Sequence, residues 1–168
     1  MRPLWRSMSI RTELRQFIRS FRYAGSGIIS AVKTQRNMRF HMGAVVPVGV
    51  LETVCKVSRS EMLALLLTVG GVIALECLNT AVESAVDLAS GGKRSHQAKL
   101  AKDCAAGAVL VFCVAALIEA VMIFGTRYDV IIKAFIEEPW LIAAAVVYTV
   151  LWFIWVFVCF SKKSDTDK

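Results

Sequence analysis

Three acids and an asparagine interrupt a largely apolar run in the stretch ALECLNTAVESAVDLAS, residues 74–90: Glu76, Asn79, Glu83 and Asp87. They follow directly on EMLALLLTVGGVI, residues 61–73, which reads as helix buried in a bilayer. Acids at membrane depth are costly, and where they occur they face a bundle interior or an aqueous cavity and mark a working site. On a helix advancing about 100° per residue, with Glu76 at zero, Asn79 falls at about −60°, Glu83 at about −20° and Asp87 at about +20°. The four therefore share one narrow stripe.

Three roles suit such a stripe. A salt-bridge ladder with Lys99 and Lys102 would satisfy the acids without chemistry. An ion or proton pathway would need polar groups across the whole span, yet residues 62–75 are apolar apart from Thr68. The third is metal-assisted phosphoryl transfer, in which carboxylates hold a magnesium ion that also binds substrate phosphates. Nearby lysines then neutralise charge developing on the transferred group. A soluble nucleotide-binding loop is excluded. The segment SGGKRS, residues 90–95, lacks the glycine that a P-loop needs, and no strand precedes a glycine-rich turn. Any nucleotide site here must be built from helices.

The elements that would carry these residues are legible in the hydropathy. Of 168 residues, 57% are hydrophobic, the mean hydropathy is +0.59, and the apolar residues fall in four blocks: Phe40–Val57, Glu61–Leu78, Ala105–Phe124 and Trp140–Phe160. A helix needs about 20 largely apolar residues to cross the hydrocarbon. The blocks predict an all-α polytopic membrane protein with three or four spans, the first weakened by Pro47 and Glu52. The five cysteines lie in or beside apolar blocks and form no CxxC pair, which argues against a disulfide framework or a zinc site. No secretory signal is visible at the basic N-terminus.

With four spans, sixteen of the 20 Lys and Arg residues share one side, and only Lys56, Arg59, Arg127 and Lys133 lie on the other. The excess of positive charge on inner loops then puts both termini and the 88–104 loop in the cytoplasm. Topology and anionic lipid account for the net charge of +7. With no aromatic-basic groove or nucleic-acid motif in the chain, no nucleic-acid partner is expected.

Residues 9–34 set Leu14, Phe17, Ile18, Phe21 and Ile28 on one helical side among arginines, the pattern of a helix lying in the membrane interface. Ser9 or Thr12 is expected to cap it, and Gly25 and Gly27 to bend it or admit a second backbone. Residues 57–60 make a tight hairpin, 90–95 a turn, and 125–139 a linker containing a short interfacial helix. The block 141–160 is expected to form a fourth, peripheral span, with Trp140, Trp152 and Trp155 as interface anchors.

These residues carry a family resemblance. ECLNTAVESAVD (76–87) resembles the signature E-x-x-N-[ST]-A-[IV]-E-x-x-V-D of the bacterial membrane-integral diacylglycerol kinase and undecaprenol kinase family. AKDCAAGAVL (101–110) and KTQRNMRFH (33–41) resemble two further family blocks in the same order, and Phe21, Tyr23, Ala24 and Gly27 match its surface-helix region. The resemblance covers about residues 15–125. It implies a homotrimer of three-span subunits in the bacterial inner membrane, with sites shared between subunits on the cytoplasmic side. It also implies transfer of the γ-phosphate of ATP, with Mg2+, to the hydroxyl of a membrane lipid. Diacylglycerol is the first expectation and undecaprenol the alternative.

By the same resemblance, Glu76 takes the hydroxyl proton and Asn79 orients it. Glu83 binds the metal and nucleotide, with Gln35 as a second metal contact, and Asp87 supports the nucleotide region. Lys102 contacts the phosphates, steadied by Asp103, while Tyr23, Gly27 and His96 lie near the nucleotide. Two departures matter. Gln35 stands where many members have glutamate, and His96 lies six residues before Lys102 where the family spacing is seven. A non-catalytic membrane module that keeps the fold is the reading of another class, with Gln35 its best support. The expected organisation is an interfacial region at 1–36, a three-span kinase core at 37–125, and a linker, extra span and basic tail at 126–168.

Overall fold

The computed structural model describes residues 10–157. The Ser9 cap, Arg2, Arg6, Cys159, the end of the last apolar block and the three tail lysines lie outside the described residues. Six helices and no strand make up the described chain, an all-α fold. Three of them are long and apolar enough to cross a membrane, namely α3 (Arg59–Ser90), α4 (His96–Gly125) and α6 (Trp140–Phe157).

Helix α1 (Ile10–Thr34) leaves Leu14, Phe17, Ile18 and Phe21 exposed on one side, with Phe17 edge-on to Phe21 at 4.9 Å. Two expectations need correction here. The helix runs unbroken through Gly25 and Gly27, and among the described residues nothing outside the local helix backbone lies within 4 Å of a Cβ placed at either. Thr12 sits inside the helix rather than capping it.

The chain breaks at Gln35, whose extended backbone separates α1 from α2 (Arg36–Cys55). At 20 residues α2 is about 30 Å long. It carries Arg36, Arg39 and Glu52, and it is not among the three helices apolar enough to span by composition. It ends on Lys56 in a left-handed conformation, with the Val57 N–H donating back to the Glu52 carbonyl. Ser58 then starts α3 through a capping box. Its hydroxyl accepts from the Glu61 N–H, and the Glu61 carboxylate accepts from the Ser58 N–H at 2.7 Å. This is the short hairpin legible in the sequence.

Helix α3 packs along α4, and Gly71 allows the approach: a Cβ there would lie 2.6 Å from the Phe112 ring. The far end of the pair is tied by Arg127, which donates to both Glu61 oxygens at 2.8 and 2.9 Å, above a core of Cys55, Leu65, Ile123 and Phe124. At the opposite end Gly91 and Gly92, both at positive φ, close α3, and Ser95 caps α4. The linker forms α5 (Tyr128–Glu137), the short helix expected there.

Helix α6 packs on α2, and local features of α2 provide the seat. Pro47 has no N–H to give the carbonyl four residues back, which leaves that of Gly43 without its helical partner. The Tyr148 hydroxyl donates to it instead. Gly43 also has no Cβ, and one there would lie 1.9 Å from Trp152 Nε1. Trp152 is therefore a packing residue of the α2–α6 seam, with its ring edge-on to Phe40 at 5.6 Å, rather than the interface anchor expected from sequence.

Candidate active site

The acid stripe is held at the α1–α2 break and on the facing end of α4. Glu76 and Asn79 are buried in the helix packing, 1% and 6% exposed. Glu83 lies one turn beyond Asn79 and is half-buried. Its two oxygens are gripped separately: Asn79 Nδ2 donates to one at 3.1 Å and Gln35 Nε2 to the other at 3.1 Å. Asn79 Oδ1 is buried with no hydrogen-bond partner. A buried amide oxygen without a donor costs free energy unless something else meets it, so such an atom asks for an explanation.

Further along the stripe, Lys102 Nζ donates to Asp87 Oδ1 at 2.6 Å across the α3–α4 pair. The pair is solvent-facing, with the aspartate side chain 61% exposed and the lysine 35%. Six of the side chains singled out in the sequence thus converge on one end of the bundle: Gln35, Glu76, Asn79, Glu83, Asp87 and Lys102.

The other four stand differently. Tyr23 is exposed on α1. Gly27 lines a recess of about 300 Å³ between α1 and α3, together with Ala24, Thr80, Ala81 and Ser84. On the α3 wheel those last three sit beside the acid stripe rather than on it. His96 opens α4, exposed, and Asp103 is exposed next to Lys102. Among the described residues, none of these four hydrogen-bonds to the acid stripe, and the partner of Lys102 is Asp87 rather than Asp103.

Sequence reasoning missed Arg39. Its guanidinium is buried, 7% exposed, and donates to the carbonyls of Val32 at 2.9 Å, Lys33 at 3.2 Å and Val156 at 3.2 Å. An arginine directly against the start of an apolar block was the available signal. Below the acids, an apolar cavity of about 260 Å³ between α2, α3 and α4 is bounded by His41, Thr68, Val72 and Cys113. His41 and Cys113 face each other across it at 4.0 Å.

The donor set suits a hydrated divalent cation. Glu83 offers a carboxylate whose orientation is fixed by two amides, and Asn79 a buried oxygen lacking a donor. Among the described residues no three His, Cys, Asp or Glu side chains form a metal-binding group. Magnesium does not require one, since it binds through one or two carboxylates together with substrate phosphates and water.

Comparison with known proteins identifies the family of the chain. Residues 22–124 match the family described as prokaryotic diacylglycerol kinase. The undecaprenol kinase of Bacillus subtilis is 43% identical over 114 residues, covering 68% of this chain and 92% of that protein. The diacylglycerol kinase of Synechocystis sp. is 46% identical over 99 residues, covering 59% of this chain and 57% of that protein. No solved structure gives a significant match. The matched segment holds all ten singled-out side chains and ends where α4 ends, leaving α5 and α6 outside it. The chain belongs to the prokaryotic diacylglycerol kinase family.

Proposed function

We propose that this membrane lipid kinase transfers the terminal phosphate of ATP to the hydroxyl of diacylglycerol, working as a homotrimer at the cytoplasmic face of the inner membrane. The observation that carries the proposal is the graded stripe on α3, from buried Glu76 through half-buried Glu83 to exposed Asp87. An alcohol on an apolar chain approaches from the bilayer, a nucleotide from water, and the stripe spans the distance between their two environments.

In this reading the lipid hydroxyl gives its proton to the Glu76 carboxylate as its oxygen bonds to the γ-phosphorus. The bond from that phosphorus to the bridging oxygen breaks, and ADP departs. Asn79 orients Glu83 by its N–H donor, and Glu83 with Gln35 holds the metal edge of the nucleotide. Magnesium, when bound, offsets charge on the phosphates. Lys102 contacts the phosphates, and its pairing with Asp87 aims it there. Tyr23, Gly27, His96 and Asp103 belong to the nucleotide region in this proposal. The kinase core takes in residues 37–125, preceded by the interfacial region at 1–36 and followed by the extra span and tail at 126–168.

A second acceptor is favoured by one observation: the undecaprenol kinase is matched over 92% of its length. The purified chain in lipid bicelles, given labelled ATP with diacylglycerol and undecaprenol side by side, tests both. Label in phosphatidic acid supports the first reading and label in undecaprenyl phosphate the second. Label in neither overturns the proposal.

A further inference from the structure

Helix α6 lies outside the family match, yet it is wired to the corner that presents Gln35. That corner is a helix break, and the last carbonyls of α1 have no intrahelical donor. Arg39, one turn into α2, donates to two of them, Val32 and Lys33, folding the break back on itself. The same guanidinium donates to Val156 in the last described turn of α6. Trp152 Nε1 returns the contact by donating to the Arg39 carbonyl at 3.4 Å, and the Arg36 guanidinium lies 5.9 Å from the Phe157 ring centroid. Gln35 sits between the two α1 carbonyls and these arginines, and its side chain holds one oxygen of Glu83.

We propose that α6 is a positioning element for the phosphate-binding end of the site, with Arg39 as the positioning residue. Seated on Gly43 and the carbonyl freed by Pro47, α6 fixes the Arg39 guanidinium. Arg39 fixes the α1–α2 break, and the break aims Gln35 at Glu83. The inference rests on the kinase reading above for its functional consequence and on the contacts alone for its structural one. It assigns the appended span a role in nucleotide binding rather than in lipid choice, because none of its described residues lines the apolar cavity below Glu76.

The test uses the full chain in bicelles and a cycle of Gly43→Ala, Trp152→Ala and the double variant. Gly43→Ala should unseat α6 by collision with the Trp152 ring. It is expected to raise KM for Mg2+-ATP about five-fold with KM for the lipid unchanged, the scale typical of coupling through packed contacts. Hydrogen exchange of the amides in segment 31–39, measured without nucleotide, is expected to speed up about ten-fold as local protection is lost. In the Trp152→Ala background the added methyl should have no further effect on either readout, since the colliding ring is gone. Unchanged exchange in Gly43→Ala, or equal losses in both backgrounds, overturns the inference. Should Gly43→Ala not accumulate, Tyr148→Phe removes only the hydroxyl, with the same two expectations at smaller amplitude and the same refutation. If the unaltered chain phosphorylates neither lipid, the kinase reading fails, while the exchange measurements still decide whether α6 orders the break.

Discussion

Asn79 and Glu83 are joined side chain to side chain at 3.1 Å, one helical turn apart, while the other end of the Asn79 amide is buried without a donor. On the proposed function, the asparagine spends its N–H on the carboxylate and leaves its oxygen to meet a group of the reacting complex. Asn79→Asp reverses the first half of this arrangement by setting a second anion against Glu83. Turnover is expected to fall about 10²-fold or more, with thermal stability highest when Mg2+ is present to separate the two acids. Steady-state assays and thermal melts with and without Mg2+ check this.

On the proposed function, Gln35 is a neutral group at a position where a carboxylate would bring a second charged ligand to the metal. Gln35→Glu replaces an N–H donor to Glu83 with a like charge, so in the absence of metal the variant should melt at a lower temperature. With metal the added carboxylate should lower the half-saturating Mg2+ concentration several-fold, about one order of magnitude at most. A magnesium titration of activity at fixed ATP reads the shift. An unchanged midpoint would take Gln35 out of the metal site.

Lys102 and Asp87 form a short ion pair, but a largely solvated one, and such pairs add little to stability. A structural ladder and a phosphate contact therefore part company in Lys102→Met. The melting temperature is expected to stay within about 2 °C of the parent. The ratio kcat/KM for ATP should drop about 10²-fold or more, as for a lost phosphate clamp. A destabilised chain with near-normal kinetics would favour the ladder.

The Glu61–Arg127 pair closes the opposite end of α3 and α4, together with the Ser58 capping box. Arg127→Ala should lower the melting temperature by about 3–5 °C. Turnover per folded protein should not change, because the pair is more than four turns along α3 from Glu76. Melting and active-site-normalised rates measured on one preparation separate the two effects.

Much of this was legible without coordinates, for stated reasons. Helical periodicity alone puts Glu76, Asn79, Glu83 and Asp87 on one face, and the short 57–60 connection and the glycine-containing 90–95 turn mark helix ends through local chemistry. Contacts between distant segments were not legible. Nothing local to Tyr148 announces a freed carbonyl 105 residues away at Gly43, and tryptophans such as Trp152 in an apolar block look like interface anchors in either case. Arg39 read as topological charge, because its carbonyl partners belong to the end of one helix and to another far along the chain. The recess that Gly27 lines between α1 and α3 was not legible either, because its two walls lie about 50 residues apart in the chain.

The central claim is that Glu76 takes the proton of a lipid alcohol, and Glu76→Gln tests it most directly because the amide keeps size and burial while removing the base. Phosphate transfer from labelled ATP is expected to fall about 10³-fold or more, the scale of a lost general base, with oligomeric state and Mg2+-ATP binding retained. Transfer at the parental rate by a correctly assembled Glu76→Gln protein would contradict the account.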